Sequence, residues 1–174
     1  MNQRLWLIPR IALFSALAYV LSYSTVYLPN VNFIFFIVFM AGVMWGLVPG
    51  MLVGIFAMGL WTTFNPYGPA VLPVMLAQVS GISFSGMVGA FFRGGDWHKR
   101  TRNLLTWALI VSAILCTLLF YLPVNIVDAW MLQPFWPRFY TGMLWSITSL
   151  VVNLLVFPIL FKPVSQLMTR RSPV

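Results

Sequence analysis

The chain has 174 residues, of which 61% are hydrophobic, 17% aromatic and only 7% charged. A soluble domain carries about a quarter charged residues, so this composition excludes a water-soluble globule; a mean hydropathy of +0.93 agrees. Ten Lys and Arg against two acids give a net charge of +8, but the basic residues sit in short patches between apolar runs. That placement fits a topological role beside lipid and not nucleic-acid binding.

A helix needs about 20 apolar residues to cross a hydrocarbon core of about 30 Å. The first candidate runs over 6–27. Arg4 and Arg10 precede an apolar stretch as in a signal peptide. The only small-residue cleavage pattern, Ala16-Leu17-Ala18, would leave about five apolar residues after Arg10, short of the usual 7–15. The segment therefore reads as a retained helix. Residues 33–64 follow without a charge, and as one helix they would reach about 48 Å, too long for a single crossing. Their centre is Trp45-Gly46-Leu47-Val48-Pro49-Gly50. Proline removes a backbone donor and disfavours helix in the residue before it, so two short helices, 33–46 and 49–64, are predicted. Further helices are predicted over 70–92, 104–124 and 139–161.

Charge placement supports this count. Arg4 and Arg10 form one basic cluster, Arg93, Lys99, Arg100 and Arg102 a second, and Lys162, Arg170 and Arg171 a third. With six helices all three clusters fall on one side and only Arg138 falls opposite. With five they are split. The positive-inside rule then places both termini in the cytoplasm. The expectation is an all-α membrane protein: a six-transmembrane-helix bundle forming a single domain over 1–174.

Small residues recur at helical spacing. Gly42, Gly46, Gly50 and Gly54 repeat every four residues, as do Gly81, Ser85 and Gly89. Such stripes let helix backbones approach closely in lipid. In the first helix Ala12, Ser15 and Ala16 share a face by the i, i+3, i+4 rule, a flat surface suited to docking another membrane protein or to internal packing.

Little is available for chemistry. The two acids are Asp96 and Asp128; His98 sits in a basic segment, and Cys116 is the single cysteine, inside an apolar run. Paired carboxylates, zinc-ligand spacings and a phosphate-binding glycine loop are all missing, so neither an enzyme nor a cofactor or metal site is expected. Polar residues gather instead near the predicted outer ends: Asn30 and Asn32, then Asn65 and Tyr67, then Asn125, Asp128, Trp130, Gln133, Trp136, Arg138 and Tyr140. Trp and Tyr favour membrane interfaces whatever their function. Gln78 and Asn153 stand inside apolar spans, where an unpaired amide costs several kcal/mol, so each must meet a partner or a cavity. Asp128 and Arg138 are candidates for an ion pair.

Ala12 and Ala16, the stretch from Phe39-Met40-Ala41-Gly42 to Gly50-Met51-Leu52-Val53-Gly54, and Asn65-Pro66-Tyr67-Gly68, together with the six-helix layout, resemble the substrate-binding S components of energy-coupling factor (ECF) transporters. The resemblance implies a bacterial or archaeal cell-membrane protein that binds a vitamin or related micronutrient near its outer face. It implies as partners a transmembrane coupling subunit, docking at Ala12 and Ala16, and two ABC-type ATPases. The implied pocket holds Asn32, Asn65, Tyr67, Gln78, Trp130, Arg138 and Asn153. Cys116, inside a predicted helix, departs from the loop cysteine of cobalamin-carrying relatives. The rival is a non-transporting scaffold of the rod-shape-determining membrane protein D type, which has a similar layout but needs no small-molecule site. A small channel or exporter ranks lower, since its polar residues would run along a whole helix.

Overall fold

Residue 46 decides how the long uncharged stretch folds. Gly46 has φ of +93° and serves as both C-cap of α2 (Ile34–Trp45) and N-cap of α3 (Leu47–Phe64). A side chain is strained at that φ, so a single glycine reverses the chain. The expected break is present, but α3 begins at Leu47 and not at Pro49. Pro49 lies in the first turn, where a helix has no acceptor for its N–H, so its missing donor costs nothing.

The computed structural model describes residues 6–95 and 101–169. Asp96, His98, Lys99 and Arg100 lie outside the described residues, as do Arg4, Arg170 and Arg171. The remaining helices are α1 (Leu7–Ser24), α4 (Leu72–Arg93), α5 (Arg102–Met131) and α6 (Phe135–Thr169). Five of the six are long and apolar enough to cross a membrane. The exception is α2, whose 12 residues rise about 18 Å. It is also the most enclosed, with every residue from Ile34 to Gly42 buried and contacts to all five other helices. Its core is aromatic: Phe35 meets Phe120 edge-on at 5.2 Å, Phe36 meets Phe157 at 5.5 Å, and Phe39 meets Phe92 at 5.3 Å.

Helices α2, α3 and α4 approach each other where side chains are missing. A Cβ on Gly86 would stand 2.3 Å from the carbonyl carbon of Gly50, and one on Gly50 would stand 2.6 Å from Cα of Gly42. A Cβ on Gly89 would stand 2.0 Å from the carbonyl oxygen of Phe39. Lipid competes for apolar surface as well as protein does, so close backbone packing of this kind drives helix association in a membrane.

Residue pairs fix the chain direction. Gly50 faces Gly42 and Gly54 faces Val38, so α2 and α3 are antiparallel; Gly86 faces Gly50 and Ser83 faces Gly54, so α4 reverses again. Gly81 lies against Phe120, and Asp128 pairs with Arg138. Arg10, Arg93, Arg102 and Lys162 therefore share one end, and Arg138 is the only described basic residue at the other.

The largest departure from expectation is the α5–α6 connection. A long polar loop over 125–140 is predicted from the sequence; the turn spans only 132–134. Helix α5 passes through Pro123 and continues to Met131. Asn125 and Asp128 do not end it, because their side chains find partners on α6: Arg138 Nε donates to Asp128 Oδ2 at 2.7 Å, and Asn125 donates to Met143 Sδ at 3.4 Å. Asn125 also occupies the space that a side chain at Gly142 would need.

These contacts predict opposite outcomes for two glycines. Gly86→Ala should destabilise the fold by about 3 kcal/mol or more, the upper end for overpacking. Gly59→Ala, with no atom within 4 Å of the added carbon, should be neutral or gain up to about 1 kcal/mol of helix propensity. Thermal denaturation followed by maleimide labelling of buried Cys116 measures both.

Candidate functional site

At the end opposite Arg10, Arg93 and Lys162, the helices enclose a cavity of about 370 Å³, within the range of small-molecule sites. Its walls come from the α1–α2 loop, the C-terminal turns of α1 and α3, Phe120, Tyr121 and Val124 in the second half of α5, the N-terminal turns of α2 and α4, and Tyr67 of the α3–α4 loop. Every lining residue is neutral, and Phe35, Trp61, Tyr67, Phe120 and Tyr121 supply aromatic surface.

The α1–α2 loop is held by one asparagine. Asn30 has φ of +59°, a conformation that Asn tolerates better than most residues. From there its Nδ2 donates to the Trp145 carbonyl at 3.0 Å, and its own carbonyl accepts from Ser149 Oγ. The Tyr121 hydroxyl stands 2.6 Å from Ser149 Oγ and 3.2 Å from Asn30 Oδ1, sharing its proton between them. The loop is thus fastened to both α5 and α6.

Asn32 and Gln78 bring free amides to the cavity. Asn32 Oδ1 accepts from the Ile34 N–H at 2.9 Å and lies 2.7 Å from Ser22 Oγ. That sets the first turn of α2 and leaves Nδ2 with no partner among the described residues. Gln78 projects from α4 into the cavity, and neither end of its amide has a hydrogen-bond partner among the described residues. The Trp61 indole N–H, on the same cavity, is likewise unpaired there. Tyr67 is 78% exposed yet contributes to the wall, because its hydroxyl donates to the Val26 carbonyl at 2.8 Å and straps the α3–α4 loop across the end of α1.

The other four expected site residues lie off the cavity. Asn65 builds the α3–α4 turn: its Nδ2 donates to the carbonyls of Trp61 and Gly68, and its Oδ1 accepts from the Tyr67 N–H. Trp130 is 69% exposed on the last turn of α5. Arg138 is occupied by Asp128. Asn153 is 1% exposed and packs deep against α5, where its Nδ2 donates to Thr117 Oγ1 at 2.9 Å while its Oδ1 is unpartnered. Tyr121, Trp61 and Asn30 join the site in their place. Thr117, Tyr121, Asn125 and Asp128 lie on one face of α5 by their spacing, and that stripe was a readable signal for Tyr121.

On α1 the small-residue face divides. Ala12 and Ala16 are exposed, whereas Ser15 is buried with its hydroxyl donating to the Val53 carbonyl of α3 at 3.3 Å. Ser15 is therefore an internal packing residue and not part of a free docking face. The cause is that a hydroxyl in an apolar setting turns toward an available acceptor.

In comparisons with known proteins, the chain matches no family model, no curated protein and no solved structure.

Asn153 and the cavity residues should separate experimentally. Asn153→Leu removes an amide whose oxygen is already unpaired, and Thr117 keeps its own bond to the Ala113 carbonyl. Stability should change by less than about 1 kcal/mol, as read by the midpoint of Cys116 labelling. A loss well above that would show that Asn153 is a needed tie between α5 and α6.

Proposed function

We propose that the chain is a membrane-embedded binding subunit that captures an uncharged, vitamin-like micronutrient for uptake. In this reading it crosses a bacterial or archaeal cell membrane six times, with both termini in the cytoplasm and the cavity facing outward. Ligand transfer is energised by a transmembrane coupling subunit and two ABC-type ATPases. The observation that carries the reading is Gln78: an amide on an apolar helix, unpaired by any described residue, facing a cavity with no charged lining. Gln78 is half-buried, so water reaches its amide, and a ligand that enters the cavity replaces that water with hydrogen bonds of its own.

Two further features support the orientation and the partner. Four of the five described basic residues lie at the end away from the cavity, as the positive-inside rule requires of a cytoplasmic face. Ala12 and Ala16 leave a flat, exposed strip on α1, which another membrane helix can approach closely.

Native mass spectrometry of gently purified protein tests the binding role: a small neutral molecule should co-purify at near-stoichiometric amount. Gln78→Leu should weaken its retention about tenfold, the equivalent of one hydrogen bond of about 1.4 kcal/mol. Repeated failure to find a ligand in the unmodified protein would leave the scaffold reading standing. Replacing Ala12 and Ala16 together by Trp should abolish uptake in cells while leaving ligand retention unchanged. If retention falls as well, that strip serves the fold and not a partner.

A further inference from the structure

A second, smaller space lies beside the cavity. It is a groove of about 260 Å³ between α5 and α6, and Tyr121 is the one residue that lines both. The two differ in chemistry. In the groove, Ser146 turns its hydroxyl to the Met143 carbonyl, Thr117 to the Ala113 carbonyl, and Tyr121 to Ser149 and Asn30. What remains facing the groove is mainly carbon, and its rim residues Leu118, Leu144 and Ile147 are exposed on the outside of the bundle. The cavity, by contrast, offers the unpaired groups of Asn32, Trp61 and Gln78 between aromatic rings.

We propose that cavity and groove are two halves of one site for an uncharged amphiphile: a flat, carbonyl-bearing head in the cavity and an aliphatic tail in the α5–α6 groove, with the Tyr121 ring as the movable partition. The head follows from the donor set. Asn32 Nδ2, Gln78 Nε2 and the Trp61 indole N–H donate, with Gln78 Oε1 as an acceptor beside them; this mainly donor set suits carbonyl oxygens, and the rings of Phe35, Trp61 and Phe120 suit a planar group. An uncharged head fits better than an ionised one, because no lining residue carries a counter-charge. The tail follows from the groove, which is apolar and open toward the bilayer side. The partition is held by hydroxyl contacts to Asn30 and Ser149 and by ring contacts with Phe35 and Phe120; rotation of that one side chain out of these contacts is what joins the two halves. This inference rests on the cavity being the ligand site and adds the class of ligand.

The test uses the full chain in phosphatidylcholine nanodiscs, with N-decylphthalimide and its tail-less N-methyl parent as probes, planar dicarbonyl compounds that do not alkylate a thiol. Binding is read as protection of Cys116 from thermal labelling across a probe titration. Two variants separate the halves. Gln78→Leu removes the head contact; Ile147→Trp fills the groove from an exposed position where a larger side chain is accommodated. Partition of each probe into the bilayer is the same for all three proteins, so differences between proteins report the site alone. The expected result is that Ile147→Trp weakens the decyl compound several-fold and leaves the parent unchanged, while Gln78→Leu weakens both. If Ile147→Trp leaves both unchanged while Gln78→Leu weakens both, the amphiphile assignment fails and the cavity remains a site for a tail-less ligand. If the decyl compound protects the Gln78→Leu protein as well as the unmodified one, the groove takes chains without the cavity and the two-part site is overturned. If neither probe protects the unmodified protein, the planar carbonyl head is wrong, whereas co-purification of another neutral molecule would still uphold the cavity.

Discussion

The fold depends on three backbones touching. At Gly42, Gly50 and Gly86 there is no room for a Cβ, since each hypothetical carbon would fall within 2.6 Å of backbone atoms on a neighbouring helix. In water such a contact would be one term among many, dominated by burial of apolar side chains. In a bilayer apolar side chains are as well accommodated by lipid as by protein, and what distinguishes one packing from another is how closely the chains fit. The seam places α2 at the centre, where its phenylalanines are fully enclosed, and it leaves α5 and α6 to close the remaining side.

That closing side is built on different chemistry. Where α2, α3 and α4 meet through glycine, α5 and α6 meet through polar groups at helical spacing: Asp128 with Arg138, Asn125 with Met143, Tyr121 with Ser149, and Thr117 with Asn153. One half of the molecule is thus joined by close backbone fit and the other by directional bonds. The cavity sits where the two halves meet, and Asn30 is the bridge, since its loop belongs to the first half and its hydrogen bonds go to the second.

Much of the architecture was legible because it rests on length and charge. Six apolar segments, the break near Gly46 and the clustering of basic residues all follow from counting. What was not legible depends on which side of a helix meets a partner. Asn125 and Asp128 look like loop residues when read along the chain, because the residues that satisfy them, Met143 and Arg138, lie on another helix. The same blindness acted on the site. Gln78 and Asn153 looked equivalent, two amides in apolar spans, yet one faces the cavity and the other is bonded to Thr117. Tyr121 stood on the polar stripe of α5 with Thr117, Asn125 and Asp128, yet its role depends on Asn30 and Ser149, which only the fold brings to its hydroxyl. Ser15 shared a helical face with Ala12 and Ala16 by spacing, and only the position of α3 separates it from them.

The helices also differ in reach, and this bears on the surrounding lipid. Helices α1 and α3 have 18 residues each, about 27 Å of rise, whereas α5 and α6 have 30 and 35, about 45 and 52 Å. The extra length of α5 and α6 ends in charge: Arg102 and Asp128 bracket the apolar part of α5, and Arg138 and Lys162 that of α6. The uncharged stretches 103–127 and 139–161 rise about 38 and 35 Å, so the ends of these two helices stand among headgroups and water, and the hydrocarbon has to thin by only a few ångström beside α1 and α3.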